Sequence, residues 1–241
     1  MTRAARLADR DGIRDLPNDG ALDPGELLKG EGALELEIGF GKGRYLLRRA
    51  AAEPRHRFCG IEIASEYFRL AARRLAHRRL TNLLLLEGDA SYYATALLPR
   101  GRFAAVHVYF PDPWPKLRHQ KRRLFSTEAI DLVAGLVAPG GRLWFATDFL
   151  EYGAHVRRIL ESYPGARVAA LDAVWPDGAR TNYEAKYIAE GRPIVRLEVE
   201  FEAAAALHPE GAADVLVAAR PDASGAGLGV FERPAGRRVI E

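Results

Sequence analysis

Five apolar segments, at intervals of about 25–30 residues and each followed by a helical pattern, constrain the fold of this chain more than any other feature. Strands that alternate with helices form βαβ units, which place the strands parallel in one doubly wound sheet. Two later apolar segments are predicted to pair antiparallel at one edge. We therefore predict an α/β, Rossmann-like sheet of about seven mostly parallel strands, formed by residues 33–38, 57–63, 83–86, 103–110, 142–146, 167–174 and 193–202.

The composition changes on either side of this repeating region. Residues 1–31 are polar, with scattered Gly, Pro and Asp, and we expect a loose N-terminal arm there with room for a short helix. Residues 204–241 are rich in Ala, Gly and Pro, and we expect a C-terminal extension of marginal order. The sequence thus predicts one domain over residues 32–203.

The cysteine content and the hydropathy of the sequence indicate in which cellular compartment the protein works. Cys59 is the single cysteine of the sequence, so no intrachain disulfide can form, which fits a reducing environment. No apolar segment approaches the roughly 18 residues of a membrane span. We expect a soluble cytoplasmic protein that does not bind a membrane.

A glycine-rich loop follows the first predicted strand, in the pattern Glu-x-Gly-x-Gly-x-Gly. A dinucleotide-binding fingerprint would need its third glycine at the position of Arg44. Gly39 and Gly41 let the backbone approach a ligand. Glu37, two residues earlier, would repel a pyrophosphate but attract a cation such as an amino group. The loop therefore favours S-adenosylmethionine over NAD, and Glu62 stands where ribose hydroxyls would be held.

Acidic residues stand in or after each of the first five predicted strands. Ligands of open α/β sheets bind beyond the carboxyl ends of the strands. A single acid at a strand end often only caps a helix or forms a turn. Five in register indicate a binding edge, formed by Glu37, Glu62, Asp89, Asp112 and Asp148.

A proline-rich loop and a basic run follow the fourth strand. Three prolines stiffen the loop, and Asp112 and Trp114 stand between them. Such a loop can present a carboxylate and an aromatic ring to a flat base, while the basic residues 116–123 can hold a phosphate backbone. We therefore predict a site that takes a base from a structured RNA. Two alternatives stay open: Trp114 fills the core, and the basic run is a solvated helix face.

Six segments together resemble the bacterial tRNA (guanine-N7)-methyltransferases, over about residues 33–201. The proline-rich motif with its basic run is the specific part of this resemblance. The segments are Glu37-Ile38-Gly39-Phe40-Gly41, Gly60-Ile61-Glu62, Phe110-Pro111-Asp112-Pro113-Trp114, Arg118-His119-Gln120-Lys121-Arg122-Arg123, Ala146-Thr147-Asp148 and Thr181-Asn182-Tyr183-Glu184. Where the family commonly has His after the tryptophan, this chain has Pro115.

The resemblance implies a class I methyltransferase that methylates the variable-loop guanosine of tRNA with S-adenosylmethionine. The sequence leaves both a monomer and a homodimer open. It implies a catalytic role for Asp112. It implies cofactor contacts by Glu37, Gly39, Gly41, Glu62, Asp89 and Asp112. It implies substrate contacts by Lys116, Asp148, Thr181, Asn182, Tyr183 and Glu184. It implies RNA contacts by Arg118, His119, Gln120, Lys121, Arg122 and Arg123.

The chemistry of guanine N7 fits these residue types. N7 has a free lone pair and no proton, so its methylation needs alignment, which can lower the barrier by roughly 7–11 kcal/mol, rather than a general base. Positive charge moves onto the purine, and carboxylates such as Asp112 and Asp148 would stabilise it. They or Glu184 would also accept hydrogen bonds from guanine N1–H and the amino group, and Trp114 or Phe110 would stack on the base.

Several alternatives remain at this stage. Thr181 and Glu184 also fit the N-cap and N3 positions of a capping box, with Gly191 ending the helix. His107 and His119 lack ligand spacing, so we predict no metal. The other functions considered are a methyltransferase for another RNA or a small molecule, and a non-catalytic RNA-binding module.

Overall fold

The computed structural model describes residues 6–16, 22–116, 118–119, 123–127, 129–175 and 177–202. Within them a nine-stranded sheet has the strand order β2-β1-β5-β4-β3-β6-β7-β9-β8. The bounds are β1 Arg6–Asp9, β2 Gly12–Asp15, β3 Leu34–Ile38, β4 Arg57–Glu62, β5 Leu83–Glu87, β6 Phe103–Tyr109, β7 Val137–Thr147, β8 Ala166–Ala170 and β9 Val195–Phe201. The predicted extension, residues 204–241, lies outside the described residues.

The five central strands are parallel, as predicted. Strand β3 pairs with β4 on one side and with β6 on the other, so the chain changes direction across the sheet at this point. Strand β4 continues to β5, and β6 continues to β7. The crevice beside such a switch point is where open α/β sheets bind ligands.

Helices cover both faces of the sheet. They are α1 Pro24–Leu27, α2 Arg44–Ala52, α3 Ser65–Arg78, α4 Ala90–Tyr92, α5 Ile130–Ala134, α6 Leu150–Glu161 and α7 Asn182–Ala189, with a π-helical turn at Tyr93–Leu97. Helices α2 and α3 pack on one face and bury Leu46, Phe68 and Leu75 against Phe58. Helices α5 and α6 pack on the other face in a second cluster. The helices within the described part of the chain lack the length and apolar character that a membrane span requires.

The two edges of the sheet differ in how well the sequence predicted them. Strands β8 and β9 pair antiparallel, which confirms the predicted edge. The loose N-terminal arm is wrong for residues 6–15, because β1 and β2 form a hairpin and β1 pairs antiparallel with β5. Leu7 and Ala8 are buried there, and Arg6 forms an ion pair with Glu87. These polar residues gain their order from the sheet edge, which supplies hydrogen-bond partners.

The side-chain alternation of β3 sets up the site. Leu34, Leu36 and Ile38 point into the larger core cluster. Glu35 and Glu37 point to the opposite face, yet both are buried there. Burying a charged group is costly unless it has partners, so these two acids mark the polar face on which the site is built.

Candidate active site

The carboxyl edge of the sheet presents the five predicted acids in an order set by the strands. From β5 across to β7 the order is Asp89, Glu62, Glu37, Asp112 and Asp148, since each lies in or directly after its strand. We call the ends of β3, β4 and β5 the glycine-loop half. We call the ends of β6 and β7, with α7, the proline-loop half. The switch point separates the two.

The glycine loop turns sharply out of β3 and leaves space above its backbone. Gly39, Gly41 and Gly43 have φ of 75°, 53° and 71°, a left-handed conformation that favours glycine. A Cβ added at Gly39 or Gly41 would meet no heavy atom within 4 Å. At Gly60 of β4 a Cβ would approach Phe40 to 2.7 Å, so this glycine lets the loop pack on the sheet. The loop therefore has room for a ligand against its backbone.

Glu62 anchors that loop. Its two carboxylate oxygens accept hydrogen bonds from the Gly41 amide at 2.7 Å and from the Ala64 amide at 2.8 Å. A carboxylate has about four acceptor sites, so two remain for a ligand hydroxyl. The predicted ligand-binding residue is thus also the residue that holds the glycine loop beside β4.

Glu37 is the least satisfied acid of the glycine-loop half. It is 2% exposed, and its Oε2 has no hydrogen-bond partner among the described residues. Burial, together with the nearby Glu62 carboxylate, raises the pKa of Glu37 to about 8. A cationic ligand group would restore its charge. This orphaned oxygen fits the ammonium group of S-adenosylmethionine.

Asp89 has a local role in the structure. It is exposed and caps α4, where its Oδ1 accepts a hydrogen bond from the Ser91 amide at 2.7 Å. The capping alternative therefore holds for this acid. Its predicted cofactor contact stays a prediction, because the cap uses only part of the acceptor capacity of the carboxylate.

The proline-rich loop is strained. Phe110 and Trp114 have φ of 54° and 40°, which is uncommon for residues other than glycine. Such residues cost of order 1–3 kcal/mol each and persist where the surroundings hold them. Asp112 and Lys116 are exposed on this loop. Trp114 is half-buried, with its ring 5.7 Å from that of His119.

Arg123 holds the proline-rich loop, which corrects its predicted role as an RNA contact. Its side chain is buried, and it donates hydrogen bonds to the carbonyl oxygens of Pro113 at 2.7 Å and Trp114 at 3.4 Å. Its guanidinium lies 4.9 Å from the ring centre of Tyr152. Arg118 is exposed and suits RNA contact, whereas Gln120, Lys121 and Arg122 lie outside the described residues.

Asp148 and Phe110 meet α7 at the proline-loop half. Asp148 accepts a hydrogen bond from Arg192 at 2.6 Å. The Arg192 guanidinium lies 4.1 Å from the ring centre of Tyr187, which in turn lies 5.6 Å from that of Phe110. Asp148 keeps acceptor capacity and is about one-fifth exposed. Sequence reasoning missed Arg192, because nothing near it in the chain indicates this partner.

Glu184 is buried, which corrects its predicted contact with substrate. It is fully buried, and its oxygens accept hydrogen bonds from Arg196 Nε at 2.8 Å, Trp175 Nε1 at 3.1 Å and the Arg180 amide at 2.8 Å. Its own amide donates to the Thr181 hydroxyl at 3.0 Å, so the predicted N-cap is confirmed. The side chain fixes the start of α7 rather than touching a ligand.

The start of α7 still faces outward at its first two residues. Asn182 and Tyr183 are exposed, and the Asn182 amide oxygen accepts a hydrogen bond from Arg44 at 3.3 Å. Thr181 is half-buried as the N-cap. Of the predicted substrate segment, these three residues keep accessible surface, and Glu184 does not.

A buried polar chain ties this segment to the sheet. Arg180 donates to the Tyr109 hydroxyl at 2.6 Å, and its guanidinium lies 4.2 and 4.8 Å from the ring centres of Trp175 and Trp144. Tyr109 contacts His107 at 2.9 Å, and His107 contacts Glu35 at 3.1 Å. No motif in the sequence indicated this chain. The sequence feature that could have indicated it is the alternation of polar with apolar residues along β3 and β6, both of which are central strands.

The protonation states in this chain follow from burial and charge. Burial lowers the pKa of His107, so we assign a neutral imidazole that donates from Nε2 to Glu35 and accepts from Tyr109. Burial alone would raise the pKa of Glu35, but the hydrogen bond from His107 and the charge of Arg49 lower it to about 2. Glu35 is therefore an anion that anchors the chain, in contrast to Glu37.

Comparisons with known sequences agree with this geometry. A family described as "Putative methyltransferase" matches residues 31–197. A tRNA (guanine-N(7)-)-methyltransferase of Anaeromyxobacter dehalogenans is 40% identical over 191 residues, which cover 78% of this chain and 93% of that protein. Proteins of the same name from Geobacter metallireducens and Nitrosococcus oceani are each 35% identical, over 67% and 66% of this chain and 78% and 67% of their own lengths.

Comparisons with solved structures agree on the fold. The 16S rRNA methyltransferase KamB superposes with a TM-score of 0.60 at 15% identity, covering 82% of this chain and 99% of that one. A variant of the 16S rRNA (adenine(1408)-N(1))-methyltransferase from Catenulisporales acidiphilia, solved with its cosubstrate SAM, gives 0.55 at 17% identity, covering 83% and 97%. At such identities the likeness establishes the class I methyltransferase fold alone.

The family match spans more than half of the chain, and relatives of 35–40% identity align over most of their own lengths. The glycine loop with its orphaned acid and the proline-rich loop with Asp112 lie on either side of one switch point, as a donor site and an acceptor site of one reaction would. We conclude that the chain belongs to the tRNA (guanine-N(7)-)-methyltransferase family.

Proposed function

We propose that this protein transfers the methyl group of S-adenosylmethionine to N7 of the variable-loop guanosine of tRNA. The division of the sheet edge supports this reaction most strongly. The glycine-loop half holds a buried acid, Glu37, with one carboxylate oxygen that lacks a partner among the described residues, and the proline-loop half holds the exposed carboxylate of Asp112 two residues after Phe110. The names of the relatives supply the substrate and the modified atom.

The residues of the glycine-loop half fit the proposed cofactor. When bound, S-adenosylmethionine supplies an electrophilic methyl group on a sulfonium. Glu37 would bind its ammonium group, and the space above Gly39 and Gly41 would admit it against the backbone. The remaining acceptor sites of Glu62 would take ribose hydroxyls, and Asp89 would contact the adenosine side.

The residues of the proline-loop half suit a guanine base. Asp112 would touch the reacting base and stabilise the positive charge that the purine gains. Asp148, held by Arg192, would accept a hydrogen bond from the guanine edge. The sequence left three acids as candidates for recognising guanine. Because Glu184 is buried, Asp112 and Asp148 would make this selection. Lys116, Asn182 and Tyr183 are exposed and would contact the nucleotide around the base.

The geometry also favours RNA as the substrate over a small molecule. Arg118 is exposed after the proline-rich loop, and Lys121 and Arg122 continue the basic run in the sequence. Phosphate contacts of this kind fix the register of a nucleic acid without reading its sequence. We also propose a cytoplasmic location, where tRNA is available, while the oligomeric state stays a prediction of monomer or homodimer.

A methyl-transfer assay tests the proposal directly. The full chain is incubated with unmodified tRNA and labelled S-adenosylmethionine, and the label is mapped. A matched tRNA carries 7-deazaguanosine at the variable-loop position, where a C–H replaces N7 and removes the lone pair. Label is expected at N7 in the first tRNA and none in the second. Equal labelling of both, or no label with folded enzyme, would reject the proposed reaction.

A further inference from the structure

A basic groove lies between α2 and α3, outside the acids of the sheet edge. It has a volume of about 760 Å³ and runs along α2. Its floor includes Leu47, and its walls carry Arg44 and Arg48 from α2 and Arg74 and Arg78 from α3. None of the motifs in the sequence covers these four arginines.

The spacing of the arginines explains the groove. Arg44 and Arg48 are four residues apart on α2, and Arg74 and Arg78 are four residues apart on α3. Residues at this spacing lie on the same face of a helix, one turn apart. The two packed helices therefore present two rows of guanidinium groups along one groove.

The positive charge of the groove is little compensated. No Asp or Glu is among the described residues that line it. Arg74 donates to the Lys42 carbonyl at 2.8 Å and Arg44 donates to the Asn182 amide oxygen, and neither acceptor carries a charge. Arg48 pairs with Asp177 at 2.8 Å, but both side chains are more than one-third exposed, and such a pair contributes little.

The groove begins at the candidate active site. Gly43 of the glycine loop and Asn182 of α7 line one end, and Ala52 at the last residue of α2 lines the other. Nine helical residues span about 13 Å, so the charges follow a line rather than converge on one point. A line of guanidinium forks suits a chain of phosphates better than a single anion.

We propose that this groove binds the sugar-phosphate backbone of the tRNA next to the methylated guanosine. The inference rests on the proposed function and adds a second contact surface to it. The basic run follows β6, whereas the groove lies on the helices that cover the glycine-loop half. The tRNA is thus held on both sides of the cleft, which keeps the base aligned while the rest of the molecule extends outward.

The test compares two double variants of the full chain. Arg74→Gln with Arg78→Gln removes two groove charges. Arg157→Gln with Arg158→Gln removes two exposed charges from α6, which packs on the opposite sheet face. The groove variant is expected to raise the tRNA KM about tenfold with kcat unchanged, and to reduce the slope of log Kd against log salt by about 1.4–1.8. The α6 variant is expected to behave as wild type.

Binding and transfer are measured separately, so the two proposals fail separately. An unchanged KM and salt slope in the groove variant, or a loss of kcat alone, would overturn the groove while the methyltransferase stands. A wild-type protein that transfers no methyl group, but whose groove variant loses tRNA affinity, would overturn the reaction and leave the groove as an RNA site. A third comparison uses a short variable-loop hairpin, which keeps the backbone next to the guanosine, so the groove variant should lose efficiency on it as on tRNA while the α6 variant methylates it as wild type does. Wild-type efficiency of the groove variant on this hairpin would overturn the groove.

Discussion

The two halves of the sheet edge are held in place by different means. In the glycine-loop half, Glu62 binds the amides of Gly41 and Ala64, so side chain and backbone stabilise each other over 21 residues or fewer. In the proline-loop half, buried arginines hold the loops: Arg123 binds the loop carbonyls, and Arg196 binds Glu184. The glycine-loop half is thus held by a carboxylate that accepts hydrogen bonds from backbone amides, and the proline-loop half by buried arginine side chains that donate hydrogen bonds.

This difference matches the tasks we propose for each half. A small cofactor needs a cradle of constant shape, which a backbone turn supplies. A nucleotide within a large RNA needs loops that admit it and still return to one geometry. Charge-assisted hydrogen bonds are about twice as strong as neutral ones, so Arg123 can hold the strained residue Trp114 through its carbonyl oxygen.

The largest expected effect breaks the charge pairs directly. Glu184→Ala leaves Arg196 buried without its carboxylate and should lower the free energy of unfolding by about 3–5 kcal/mol. Glu190→Ala at the C-cap of the same helix removes an exposed acid paired with Lys186 and should cost less than about 0.5 kcal/mol. Urea unfolding measures both. Equal costs would mean that buried pairs do not hold the proline-loop half.

The second effect concerns the reaction at the proline-loop half. Asp112→Asn keeps the shape of the loop but removes the charge, and should reduce kcat about 10²–10³-fold with tRNA affinity largely intact. The control, Asp11→Asn in the β1–β2 turn, should turn over at the wild-type rate. Single-turnover transfer at saturating cofactor and tRNA gives the rate. A rate for Asp112→Asn near wild type contradicts the role of this residue.

A smaller effect separates a residue that positions the loop from one that contacts RNA. Arg123→Met removes two loop hydrogen bonds, each worth about 1.5–3 kcal/mol because its donor is charged. We expect kcat/KM for tRNA to fall about tenfold, with the salt slope and cofactor affinity unchanged. Arg118→Met, at an exposed site, should instead reduce the salt slope. Identical changes of kcat/KM and salt slope in the two variants would mean that Arg123 and Arg118 have the same role.

The smallest expected effect is the pH dependence of cofactor binding at Glu37, in the glycine-loop half. The raised pKa of Glu37, about 8, means that the free protein holds a proton there at pH 7. Binding an ammonium group requires its release, so cofactor affinity should rise with pH, by up to about tenfold per unit between about pH 6 and 7.5. Calorimetry in buffers of different ionisation enthalpy should detect this proton. If the Glu37→Gln variant still releases this proton when it binds the cofactor, Glu37 is not the group that releases it.

The same raised pKa predicts the sign of a stability change. Between pH 4.5 and about 8 the folded protein keeps a proton on Glu37 that the unfolded chain has lost. Stability from this group is therefore greatest below pH 4.5 and falls as the pH rises toward 8. In Glu37→Gln this fall should be absent, which comparison of the two unfolding curves across this pH window would establish.

Much of the fold could be predicted from the sequence because apolar periodicity is local. The parallel core, the antiparallel edge of β8 and β9, and the Thr181 N-cap all follow from neighbouring residues. The hairpin of β1 and β2 could not be predicted in the same way. Leu7 and Ala8, which are buried there, carry too weak a pattern, and the order of the hairpin comes from pairing with β5.

The sequence by itself determined the class of fold, the glycine loop with its acid, and the proline-rich motif that names the family. Only the tertiary structure decided which charged residues are accessible. Arg123 and Glu184 stand in motifs that suggest contact with substrate, yet both are buried, and Arg180 finds Tyr109 71 residues away. The reason is physical: a charged side chain is the same in the sequence whether solvated or buried, and its environment depends on partners that folding brings from elsewhere in the chain.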